Sequence, residues 1–261
     1  MNRRAVMKAM ISCGALVSVG GLLPRQVMAG WNAAAFSAAT QENAIQMMFA
    51  AEPVVSDDIH LQVPRVAVDG SVVPVSVTVS LANVESISLF LEGSPNPLVA
   101  EFMLPEGTQA EVLTRIRMAK TTVVTAVVKA DGQLLSASQE VEVKSIAKLA
   151  PLPTEANMTD IMAVRAKMKG EATQVKLAIN HPMQDGLSSD EATGELTSAA
   201  FLQEITVLHG EKTVFEANLG INIAANPFIG FSFIGAVSDD ELIINWVENT
   251  GKTGSQTAVI K

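Results

Sequence analysis

The sequence predicts an all-β fold of two β-sandwich domains in tandem, with one N-terminal helix on the first. Three observations carry that prediction. Short alternating or β-branched runs recur along most of the chain. Turn signals such as Asp69-Gly70, Glu106-Gly107, Asp131-Gly132 and His209-Gly210 separate them. An Ala/Pro stretch, residues 147–157, divides the runs into two sets. The 261 residues suffice for two domains of about 100 residues each, and a 48% hydrophobic content supplies a packed core and argues against global disorder.

The chain opens as a three-part transport signal, residues 1–29. Arg3-Arg4 and Lys8 precede an apolar run of about 15 residues, short of the roughly 20 that span a bilayer. Val27-Met28-Ala29 then offers a cleavage site before Gly30, and the paired arginines suit the twin-arginine route. This predicts a periplasmic protein with no membrane anchor after cleavage. Cys13 is the only cysteine. Met10-Ile11-Ser12-Cys13 faintly resembles a lipoprotein box, but the apolar run continues past it, so Cys13 reads as part of the signal. The mature chain then has no thiol and no disulfide.

The first domain is expected over residues 30–146. Phe36, Ala39, Ile45, Met48 and Phe49 recur at helical spacing, so residues 31–51 read as one amphipathic helix that Pro53 ends. Met47 and Met48 lack a His or Cys companion and read as packing residues. Strands are expected at 59–63, 72–80, 84–92, 98–103, 111–118, 122–130, 133–137 and 139–145. Asp131-Gly132 is a hairpin signal, and Pro74 places its strand at an edge or a bulge. After the linker, 158–261 reads as the second sandwich, with strands at 162–167, 173–180, 201–209, 212–219, 228–233, 241–248 and 254–260. The polar loop 180–198 is the expected recognition surface of this half.

Composition excludes several functions. The net charge is −9, and −13 once the four basic residues of the signal are removed, so nucleic-acid binding is disfavoured. Two tryptophans and no tyrosine leave few stacking platforms. No nucleophile elbow, P-loop or dinucleotide fingerprint occurs. His60, His181 and His209 have no second His or Cys at ligand spacing, so no metal or cofactor site is predicted. His181, opening the long loop, is the histidine placed for a contact. Asp57-Asp58, Asp190-Glu191 and Asp239-Asp240 read as solvated turns, and Lys144 and Lys148 as exposed lysines. No catalytic residue is assigned.

Several segments resemble a known family. Val164-Arg165-Ala166-Lys167, Ile179-Asn180-His181-Pro182-Met183, Phe201-Leu202-Gln203-Glu204, Asn226-Pro227-Phe228 and Trp246-Val247 resemble the SoxZ subunit of the periplasmic sulfur-oxidation carrier. Val72-Val73-Pro74-Val75, the run Pro95-Asn96-Pro97-Leu98-Val99-Ala100 and Thr114-Arg115-Ile116-Arg117-Met118-Ala119 resemble SoxY. The resemblance implies a SoxY–SoxZ fusion of two immunoglobulin-like sandwiches. It also implies a flexible glycine-flanked cysteine arm at the end of the SoxY part. Laid on this chain without gaps, that cysteine falls near Lys148, among Ile146, Ala147, Leu149 and Ala150. Lysine forms no persulfide-type adduct, so the family's covalent chemistry is not expected here.

The function expected is therefore a non-enzymatic carrier or scaffold. It would dock periplasmic redox proteins: a quinoprotein dehydrogenase, with which fused proteins that this chain resembles are associated, a cytochrome, or sulfur-oxidation enzymes. The alternative is a sulfur-compound carrier of thiosulfate oxidation.

Overall fold

The structure is a computed structural model that describes residues 30–146, 162–187, 189 and 194–261. The leader with Cys13, the linker with Lys148, and Asp190-Glu191 lie outside the described residues.

The expected single helix is two. α1 is Ala33–Phe36 and α2 is Gln41–Phe49. Capping explains the break. Thr40 is extended (φ −132°), and its hydroxyl accepts the Asn43 N–H at 3.2 Å. Asn32 caps α1 in the same way through Ala35 N–H, at 3.1 Å. Ala50, left-handed at φ 51°, ends α2. The pair packs Ala35, Phe36, Ala44 and Ile45 onto Phe90, Leu98 and Val127 of the sheet beneath.

Strands follow. In the first half they are β1 (Val54–Val55), β2 (Ile59–Gln62), β3 (Val66–Ala67), β4 (Val73–Val79), β5 (Val84–Leu91), β6 (Leu98–Met103), β7 (Glu111–Ile116), β8 (Thr122–Ala130) and β9 (Gln133–Val143). The second half adds β10 (Met162–Lys169), β11 (Ala172–Ile179), β12 (Leu202–His209), β13 (Lys212–Leu219), β14 (Phe228–Ile234), β15 (Glu241–Glu248) and β16 (Thr253–Val259). The expected runs 133–137 and 139–145 are one strand, because Ser138 stays in the ladder opposite Thr125 with their hydroxyls 2.9 Å apart. Asp131 and Gly132, both at positive φ, form the β8–β9 hairpin turn. Pro74 lies beyond the end of β2, whose pairing with β4 stops at Ser76, so its missing donor faces no partner strand.

The halves are joined edge to edge in both layers. One sheet of ten strands runs β1-β9-β8-β5-β6-β13-β12-β15-β16, with β3 also on β9. The other runs β10-β11-β14-β7-β4-β2. The joining ladders are β6–β13, from Ala100↔Leu219 to Met103↔Glu216, and β7–β14, at Thr114↔Ile229 and Leu113↔Gly230. Bonds outside the ladders extend the seam: Gly220 N–H to Val99 O at 2.8 Å, Gln109 N–H to Ser232 O at 2.8 Å, and Arg117 N–H to Asn222 O at 2.7 Å. Gly220 is required there, since a Cβ would sit 2.8 Å from Leu98 O.

The space between the layers is one core shared by both halves. Phe102 of the first half stacks on Phe215 at 6.0 Å between centroids, and Phe215 on Phe231 at 4.1 Å. The N-terminal segment also bridges the halves. Trp31 Nε1–H donates to Leu219 O at 3.0 Å, and its indole stacks on Phe36 at 4.8 Å. The outer face of the seam is acidic. Asn218 Nδ2–H donates to Glu101 at 3.1 Å, yet burial pushes the Glu101 carboxyl up. Glu216 is pushed up by burial and then by Glu204 and Glu101.

Two outcomes follow from the shared core and the crowded acids. Phe215→Ala removes a fully buried ring and is expected to cost about 3–5 kcal/mol. Calorimetry should show one melting transition, for both halves, moving down together. For the raised carboxyls, the favourable contribution is complete below the ordinary glutamate value and is lost as pH rises through the raised one. Glu216→Gln should therefore raise the melting temperature at neutral pH and flatten its decline across the mildly acidic range.

Candidate functional site

The end of β9 is the point from which the family's arm would leave, and the structure fastens it firmly. β3 pairs with it at Val66↔Glu142 and Ala67↔Val143. Lys144 N–H then donates to Ala67 O at 3.0 Å, and the Ser145 hydroxyl to Val68 O at 2.6 Å. Gly70 N–H donates to Ser145 O, and Met118 N–H to Gly70 O, both at 2.7 Å. Gly70 is thus clamped between the strand end and residue 118. A Cβ at this position would lie 2.3 Å from Met118 O and 2.7 Å from Val143 Cγ1. Val66, Val68, Val72 and Ile146 around this strap are exposed.

Arg117, next in the chain to Met118, carries the connection into the second half. Its guanidinium donates to Met183 O at 2.8 Å and to Ile221 O at 2.7 Å, and lies 3.4 Å from the Asp185 carboxylate. Burial lowers the guanidinium pKa and Asp185 opposes that shift. Three acceptors from two segments give one side chain the role of a strut.

The strut holds the base of the loop 180–198. Asn226 N–H donates to His181 O at 2.8 Å. Met183 N–H donates to His181 Nδ1 at 3.1 Å, which leaves the neutral ring's proton on Nε2 to donate to Glu248 at 2.8 Å. Burial pushes Glu248 up, but hydrogen bonds from Thr250 and His181 and the nearby Lys252 outweigh it and hold the carboxyl below its ordinary value. With both ring nitrogens engaged and 5% exposure, His181 fixes the loop base rather than meeting a ligand. Farther out, Leu187 and Leu196 are exposed.

The other sequence candidates are scattered. His60, exposed on β2, lies 3.4 Å from Ser80 Oγ. His209 contacts Asp240 at 2.8 Å, and Asp240 is held below its ordinary value by the Val237 N–H and then by His209. Lys144 pairs with Glu142 on the surface. Asp57, Asp58 and Asp239 are exposed. Among the described residues no group of three or more His, Cys, Asp or Glu could hold a metal ion. No helix of the described residues is long and apolar enough to cross a membrane. Two shallow grooves of about 420 and 440 Å³ contain none of the histidines. Arg117, Glu248 and Gly70 were not singled out as site residues from sequence. Arg117 lies in a Thr-Arg-Ile-Arg alternation that marks a strand, and nothing local says that its acceptors lie 66 and 104 residues away.

The family profile described as "Sulphur oxidation protein SoxZ" matches residues 161–259, and that described as "Sulfur oxidation protein SoxY" matches residues 45–146. This chain belongs to the SoxY–SoxZ family, with both subunits fused in one polypeptide. Among solved structures, the sulfur carrier protein SoxY from Chlorobium limicola f thiosulfatophilum is 38% identical, with a TM-score of 0.38. The match covers 42% of this chain and 96% of that one. A titin A168–A169 structure is 15% identical over 78% of this chain and 97% of its own, with a TM-score of 0.24. No curated protein matches. SoxY and SoxZ are carrier or scaffold modules of sulfur oxidation, so the fused SoxYZ-like chain is of that kind. In its SoxY half, the strap of Gly70 and Ser145 sits at the root of the family's arm.

The strut can be tested alone. Arg117→Leu keeps the apolar stem but leaves the Met183 and Ile221 carbonyls and Asp185 without their donor. It is expected to cost about 2–4 kcal/mol. Hydrogen exchange by mass spectrometry should speed up around 181–187 more than in the β8–β9 hairpin. Equal acceleration everywhere would contradict a local role.

Proposed function

We propose that this SoxYZ-like protein works in the periplasm as a docking scaffold for partner redox enzymes, without a covalent cysteine adduct. The observation that carries this reading is a fastened exit at the end of β9, with exposed valines around it, in a chain whose only cysteine lies in the predicted leader. A surface held by Gly70, Ser145 and Arg117 is preorganised, and preorganisation lowers the cost of docking. The partners suggested by the fused form are a quinoprotein dehydrogenase, a cytochrome or sulfur-oxidation enzymes. The chain itself is not the enzyme. The twin-arginine pattern supports the periplasmic location.

A second reading, the carrier of a sulfur compound, is favoured by the match to a protein described as a sulfur carrier. One experiment separates the two. Tagged protein is recovered gently from periplasm, and the same sample is weighed intact after incubation with thiosulfate and the co-purified proteins. The scaffold reading expects a quinoprotein dehydrogenase or cytochrome to be recovered and the mass to stay unchanged. A thiosulfate-derived mass increase would overturn it in favour of the carrier. Recovery of no redox protein would remove its support.

A further inference from the structure

The sheets end in four edges among the described residues, and three are defended. β10 carries Arg165, Lys167 and Lys169. β2 is four residues long and is followed by Pro64. β1 and β3 are two residues each. Charge, proline and brevity are the usual means of keeping a sheet edge from pairing with another chain. β16 has none of them. Its seven residues, Thr-Gly-Ser-Gln-Thr-Ala-Val, are uncharged and lack proline, and they pair with β15 without a bulge.

Hydrogen bonds at both ends fix which backbone groups of β16 face outward. Glu248 N–H donates to Lys252 O, and Ile260 N–H to Asp240 O, so the even-numbered residues bond to the β15 side. Lys261 faces the other way: its N–H donates to Ala166 O, and its carbonyl accepts from Met168 N–H, both on β10. Alternation then turns the N–H and C=O of Thr253, Ser255, Thr257 and Val259 outward, and no described strand is hydrogen-bonded to them, although β10 draws close at the Lys261 end. The available edge is bounded by β10 at Lys261 and by the turn at Gly251, φ 87°.

We propose that this edge pairs antiparallel with β16 of a second copy, about a two-fold axis through Gln256, joining two ten-stranded sheets. The outward groups match this register. Thr253 faces Val259 of the second copy and Ser255 faces Thr257, all four outward-facing, giving about eight backbone hydrogen bonds. Electrostatics favour the same occupant. An acidic chain repels its own copy, yet residues 249–261 contain no Asp or Glu. In this register Lys252 meets Ile260 of the second copy rather than another lysine. Half-exposed Val259 gains the cover of Thr253 of the second copy on one face. The Trp246 indole lies against Gly254, where a Cβ would approach within 2.5 Å, and backs the strand from within.

The test is sedimentation over micromolar to high-micromolar protein, together with two kinds of variant. Thr257→Pro removes one outward donor and no β15–β16 bond, and Ser255→Lys places a charge on the edge. Each should weaken the dimer about tenfold or more while circular dichroism stays unchanged. In a Cys13→Ser background, Gln256→Cys should form an intermolecular disulfide under mild oxidation. Paired residues on the axis lie about 4.5–5.5 Å apart, within disulfide reach. A wild-type chain that stays monomeric throughout, a dimer unchanged by both edge variants, or no Gln256→Cys cross-link would each overturn the proposal.

Discussion

The structure depends on two edge pairings, β6 with β13 and β7 with β14. Separate sandwiches would leave Leu98, Val99, Ala100 and Phe102 on an open edge, with the carbonyls and amides of β6 that do not bond to β5 unpaired. All four are buried here. Pairing in both layers at once satisfies those groups and brings Phe102, Phe215 and Phe231 into one stack. The hydrophobic gain and the hydrogen bonds are cooperative, because neither layer can part without opening the other. The cost is electrostatic: the same pairing gathers Glu101, Glu204 and Glu216 on the outer face.

The seam also places the candidate site. Because β7 meets β14, the residues that follow β7 arrive beside the base of the 180–198 loop. Arg117 can then reach Met183, Ile221 and Asp185, while Met118 reaches back to Gly70 and the end of β9. Strand exit and loop base become one hydrogen-bonded path. Such a path fixes a surface, which is what the proposed docking role requires.

Much of this was legible in sequence, for physical reasons. Strands announce themselves through period-two alternation, and Asp131-Gly132 through the positive φ that its turn requires. The helix was legible as apolar periodicity, but its break was not, because Thr40 acts as a cap through a single backbone bond that composition does not mark. The runs 133–137 and 139–145 read as two strands, but cross-strand contact of Ser138 with Thr125 keeps it in the ladder and makes them one. His181 heads the loop, as its place after an alternating run indicates. Its partner Glu248 lies 67 residues on, at the end of an ordinary-looking strand.

By itself the sequence determined the fold class, the two β-rich halves and the SoxY–SoxZ family, and it placed the sole cysteine in the predicted leader rather than at the arm. These are properties of local periodicity, turn chemistry and residue identity. Only the tertiary structure decided that the halves share sheets and a core, that Arg117 ties the exit of β9 to the far loop, and that β16 alone is left undefended among the described edges. Each of those depends on which backbone edges and side chains meet across tens of residues. That is a matter of register and packing between segments, and no local pattern carries it.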